Sequence, residues 1–81
     1  MIIAKVTVSN RDEILGAIVR ALAVQAAGFQ TVGGMNKQYL QEHGYYKFKF
    51  HTNQFDKFKS LVKEYVPERF QQIIQIGEDS N

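Results

Sequence analysis

Residues 45–50, YYKFKF, place aromatic and basic side chains in strict alternation. A helix would scatter them around its circumference. A strand sends successive residues to opposite faces, so Tyr46, Phe48 and Phe50 share one side while Tyr45, Lys47 and Lys49 share the other. The stretch therefore demands a sheet with one buried and one solvated face. Residues 2–8, IIAKVTV, meet the same demand, with Ile2, Ala4, Val6 and Val8 opposite Ile3, Lys5 and Thr7, and their β-branched side chains suit a pleated surface.

Between and after these strands the period changes to that of a helix. In SNRDE, Ser9 with Asp12, or Asn10 with Glu13, has the three-residue spacing of a helix cap, which predicts a helix from about Arg11 to Ala27. Ile14, Leu15, Ile18, Leu22 and Ala26 form its apolar stripe, widened by Val19, and Gly28 is placed to end it. Gly16, Ala17 and Ala21 leave room for a close neighbour. Asn53 and Asp56 repeat the cap spacing ahead of a second helix, in which Phe55, Phe58, Leu61, Val62 and Tyr65 turn inward and Lys57, Lys59 and Lys63 outward. Pro67 stops it.

Residues 70–76, FQQIIQI, read as a last strand, and 77–81, GEDSN, as a polar tail expected to fray. Residues 29–40 carry the weakest pattern. They are read as a strand broken by Gly33 and Gly34 and resumed from Met35 to Leu40, with QEHG as the turn of a hairpin and Gly44 at positive φ. A helical MNKQYLQEHG is the alternative, because Met, Lys, Gln and Leu are good helix formers.

The resulting order, strand-helix-strand-strand-helix-strand, predicts an α+β, ferredoxin-like βαββαβ sandwich. Its four-stranded antiparallel sheet has the order 4-1-3-2, with both helices on one face. With 81 residues there is room for one core, so residues 1–76 are taken as a single compact domain. A hydrophobic share of 44% against 22% charged residues is that of an ordered globule.

Several chemistries are set aside at this point. The absence of cysteine removes disulfides and thiolate ligands and points to a reducing, cytoplasmic setting. The start MIIAKVTVSN is interrupted at Lys5, too early for a secretory leader, and no run reaches the ~20 apolar residues of a membrane helix. His43 and His51 have no helical pairing with a carboxylate, so neither reads as a metal ligand or a general base. In TVGGMNK, residues 31–37, the spacing from the glycines to Lys37 is wrong for a phosphate loop. Arg11 in VSNRDE reads as a surface residue at a helix start. No enzyme, cofactor or metal is expected.

The open sheet face remains, and on it Tyr45, Lys47, Lys49, Lys5 and Ile73 are the expected binding residues. Residues 44–50 resemble the third strand of RNA-recognition motif domains: Gly44, Tyr45, Phe48 and Phe50 match its glycine, first stacking aromatic, core apolar residue and final aromatic. That likeness implies RNA or single-stranded DNA on the open face, although Lys47 and Lys5 stand where the family has further stacking aromatics. Residues 11–31 resemble the first helix and following turn of ACT-type regulatory domains, which implies an oligomeric module with a small effector. Net charge is only +2, too weak a field to announce a polyanion by itself.

The leading expectation is therefore a small non-enzymatic interaction protein that covers the surface of a larger macromolecule. An adaptor or inhibitor, including the kind encoded by phages and mobile elements, would fit. A protein partner comes first, nucleic acid second, and a homo-oligomer joined through strand edges third; no membrane is involved.

Overall fold

The computed structural model of the chain describes residues 1–28 and 36–79. Among these it is an α+β protein with three antiparallel strands and four α-helices. In chain order they are β1 (Ile2–Val8), α1 (Glu13–Ala27), α2 (Lys37–His43), β2 (Tyr45–Phe50), α3 (Thr52–Tyr65), α4 (Glu68–Gln71) and β3 (Ile74–Glu78), with a single 3-10 turn at Ser9–Arg11. The sheet order is β2-β1-β3. Both outer strands run antiparallel to β1 and hence parallel to each other, linked across it by α3 and α4.

The alternation of β1 and β2 does what their sequences require. Ala4, Val6 and Val8 are buried together with Tyr46, Phe48 and Phe50, while Ile3, Lys5, Thr7 and Tyr45, Lys47, Lys49 take the opposite face. α1 and α3 lie against each other and cover the buried face. Phe58 of α3 meets Phe48 and Phe50 with ring centroids at 5.8 and 5.2 Å, and Phe55 stacks on Phe50 at 6.1 Å. Offset and edge contacts at these separations add to the burial of the rings themselves.

Helix ends follow local chemistry, with some shifts from the expected residues. Asp12 is the cap of α1, accepting the Leu15 amide at 2.9 Å, while Ser9 and Asn10 fall in the 3-10 turn ahead of it. Gly28 ends α1 in the left-handed conformation, as anticipated. At α3 the expected Asn53–Asp56 cap gives way to Gln54, whose side chain accepts the His51 amide at 2.8 Å. The buried stripe of α1 is Leu15, Val19, Leu22, Ala23 and Ala26, so Ile14 and Ile18, expected inside, are 76% and 38% exposed. The core direction is set by the Leu15, Val19, Leu22 and Ala26 line, and a residue one position before it on the helical wheel falls at the rim.

The largest departure concerns the hairpin. Residues 29–35 lie outside the described residues, so the first part of that expectation, and the glycines of the 31–37 stretch, stay there too. From Lys37 to His43 the chain is helical, which overturns the strand expected to run through residue 40 and leaves three strands among the described residues. Asn36 caps α2 by accepting the Tyr39 amide at 2.7 Å, and Gln38 donates to Glu42 at 3.0 Å one turn on. Leu40 then docks on α1 at Gly16, where a Cβ would stand 2.6 Å from the Leu40 Cδ2. An alanine there would oblige the Leu40 side chain to shift. Gly44 closes α2 at φ +82° and hands the chain to β2.

The last segment is also corrected. Residues 68–71 form α4, and β3 begins at Ile74 and continues through Glu78, past the point where fraying was expected. Asp79 still bonds, its amide donating to the Ile3 carbonyl at 2.7 Å. Among the described residues no helix is long and apolar enough to cross a membrane.

Candidate binding face

The uncovered face of the sheet is organised in cross-strand rows. Thr7 lies between Tyr45 and Gln75, Lys5 between Lys47 and Gly77, and Ile3 beside Lys49. Four of the five residues expected there, Lys5, Tyr45, Lys47 and Lys49, are therefore brought together. Ile73 is not: it sits in the turn between α4 and β3, where its carbonyl accepts the Ser9 amide at 2.9 Å and its side chain packs on the core. Gln71, in the segment expected to be strand from residue 70, lies in α4.

Lys5 and Lys47 are direct cross-strand partners. Like charges so placed are unfavourable, and the two side chains escape in different directions. The Lys5 ammonium sits over the Tyr45 ring, 4.5 Å from its centroid, while Lys47 Nζ pairs with Asp79 Oδ2 at 2.8 Å. The hydrogen bond that Lys47 donates to Asp79, and then the charge of that carboxylate, raise Lys47 above the ordinary lysine range. No ion pair forms at Lys49 among the described residues. The face thus carries three lysines, of which Lys47 is paired with Asp79 and Lys5 lies over an aromatic ring.

α2 adds a component that the strand pattern did not anticipate. Tyr39 and His43, one helical turn apart, lie with ring centroids 4.3 Å from each other and 5.9 and 5.8 Å from Tyr45. Partial burial, and next the neighbouring Tyr45 phenol, push the Tyr39 hydroxyl above the ordinary tyrosine range. The four-residue spacing of Tyr39 and His43 was visible in MNKQYLQEHG, but only the helical reading of that stretch aligns them. Arg11 is the other residue missed. It was assigned to the start of a helix, and instead lies in the turn before it with its guanidinium against Gly44.

Among the described residues no three histidine or carboxylate side chains come together as metal ligands. Comparison of the chain with protein-family models, with curated proteins and with solved structures finds no match in any of the three.

Proposed function

We propose that the chain is a non-enzymatic interaction module whose open sheet face captures a negatively charged surface of a larger macromolecule, acting as an adaptor or an inhibitor. One observation carries the reading: Lys5 and Lys47 face each other across β1 and β2, with Lys49 on the same face. A fold with no need of a partner gains nothing by opposing two lysines, whereas a surface that meets anions gains affinity, rate and register from them. The order β2-β1-β3, with α3 and α4 joining the outer strands across β1, supports a ferredoxin-like sandwich reduced to three strands among the described residues. In that architecture one sheet face is covered by helices and the other stays free for contact.

The test is capture of partners from lysate by the wild-type chain and by the Lys47→Glu, Lys49→Glu double variant, each in nuclease-treated and untreated halves. A partner retained by the wild type and lost by the variant is the expected result. Lys49 is partly covered and makes no ion pair among the described residues, whereas Lys47→Glu also loses the Asp79 pair, so a thermal melt must show the variant folded before its capture is compared. Equal capture by the two proteins would remove the open face from the account.

A further inference from the structure

At one end of the open face lies a groove of about 440 Å³, between the Ser9–Arg11 turn and the Gly44 turn. It is lined by Lys5, Thr7, Ser9, Arg11, His43 and Tyr45 among others. Two of these, Lys5 and Arg11, carry positive charge, and three, Thr7, Ser9 and Tyr45, carry hydroxyl donors. No carboxylate is among the described lining residues. An anion entering between Lys5 and Arg11 meets charge and donors, while the Glu42 carboxylate stands 3.8 Å from His43 Nε2.

The turn that supplies Arg11 is held under strain. Asn10 and Arg11 have φ of +60° and +50°, a region that side-chain-bearing residues rarely visit and almost never in succession. Surrounding bonds enforce it: the Ser9 amide donates to the Ile73 carbonyl at 2.9 Å, and Gln41 Nε2 donates to the Arg11 carbonyl at 3.0 Å. Arg11 makes no ion pair among the described residues. The rings of Tyr45, His43 and Tyr39 cluster at the same end of the face, inclined to one another by 42° to 76°, with Tyr39 edge-on to Tyr45.

We propose that this groove seats one nucleotide of a single-stranded nucleic acid, the phosphate between Lys5 and Arg11 and the base against Tyr45 and His43. The proposal rests on the open-face reading and names its partner. Lys5, which covers the Tyr45 ring in the free protein, turns to the phosphate and uncovers the ring for stacking. Alternate residues of a strand advance ~7 Å, a step comparable to the backbone repeat of an extended single strand, so Lys49, and Lys47 on exchanging Asp79 for a phosphate, continue the track from Tyr45. That continuity favours a strand over a free nucleotide.

The experiment is fluorescence anisotropy of a short labelled oligothymidylate over a salt series, with the wild type, Arg11→Gly, Tyr45→Ser and the Lys47→Glu, Lys49→Glu pair. Glycine at position 11 relieves the left-handed strain, so weaker binding by that variant is not a folding defect, and a thermal melt checks this. Expected are about tenfold weaker binding by Arg11→Gly with a salt slope shallower by about 0.7, the share of one phosphate contact on a single strand. Tyr45→Ser should weaken binding about tenfold with its slope unchanged, as lost stacking does.

Wild-type affinity in Arg11→Gly, or equally tight binding of a duplex of the same length, overturns the proposal. Competition by inorganic phosphate or a mononucleotide at the oligonucleotide's own concentration overturns the strand in favour of a small phosphate ligand. No oligonucleotide binding at low salt, with a nuclease-resistant protein still captured by the wild type and lost by the lysine pair, sinks the groove and leaves the open face standing. Oligonucleotide binding lost in Arg11→Gly but untouched in the lysine pair upholds the groove and removes the rest of the face.

Discussion

Replacing Gln71 by alanine should destabilise the protein by about 1–2 kcal/mol, and the number comes from the end of α3. The carbonyl of residue 63 would ordinarily accept the amide of residue 67, but Pro67 has no N–H to give. Gln71 Nε2 fills the gap, donating to the Lys63 carbonyl at 3.0 Å, to the Val66 carbonyl at 2.9 Å, and more distantly to the Val62 carbonyl at 3.3 Å. An amide has two protons, so at most two of these are full bonds. Each is worth roughly 0.5–1.5 kcal/mol net, and the exposed Lys63 carbonyl recovers part of its loss from water, which sets the total near the lower half of the sum.

Gln71→Glu is the sharper perturbation. A carboxylate aimed at three carbonyls and at the negative end of the α3 dipole should cost a further ~0.3–1 kcal/mol beyond alanine. Urea unfolding followed by circular dichroism measures both, and for a domain of this size each kcal/mol moves the melting midpoint by about 4–8 °C. If both variants fell within ~0.5 kcal/mol of the wild type, Gln71 would be behaving as an ordinary surface residue, and the account of α4 as the closure of α3 would be refuted.

Three further outcomes follow from the same structure. Tyr46→Phe removes a buried hydroxyl that donates to the Gly16 carbonyl at 3.0 Å and should cost about 0.5–1.5 kcal/mol in the same urea assay, while leaving binding by the open face intact. Gly44→Ala should cost about 1–2 kcal/mol because φ there is +82°; the added Cβ would lie 3.7 Å from the Arg11 guanidinium, an ordinary contact, so the penalty is conformational and not steric. Stability should hold through neutral pH and decline in alkali above about pH 10, where unfolded tyrosines and lysines deprotonate. Burial raises the Tyr46 hydroxyl and the Asp79 hydrogen bond raises Lys47, so the folded state keeps both protons longer and loses ground as pH climbs from the unfolded values through the folded ones. A midpoint that rose with pH across that window would contradict both assignments.

Much of the fold was legible in local pattern. The period-two segments at 2–8 and 45–50 specified two strands, their buried faces and the solvated lysine row, because alternation in a half-buried strand leaves no freedom in which side chain points inward. Gly28 and Pro67 marked ends of helices for reasons internal to the backbone, and Gly44 has the positive φ expected of it, though it closes a helix and not a hairpin. Residues 36–43 offered no such compulsion. Their composition suited a helix, a strand break preceded them, and the decision came from the Asn36 cap and from Leu40 finding the space that Gly16 leaves on α1.

The candidate site divides in the same way. Lys5, Tyr45, Lys47 and Lys49 could be placed from sequence because each is fixed by its own strand, whereas the tertiary structure removed Ile73 and added Arg11, Tyr39 and His43. Ile73 was misplaced by carrying the strand period back to residue 70, across a helix that closes only when Gln71 reaches the end of α3. Arg11 and Gly44 meet across thirty-three residues of chain, through a strained turn that no propensity favours. Sequence by itself determined which side chains each strand must bury and where several helices must stop, since those follow from backbone geometry and the aversion of apolar groups to water. Only the tertiary structure decided which cations and rings share one end of the sheet, since that depends on distant segments packing together, and no local period records it.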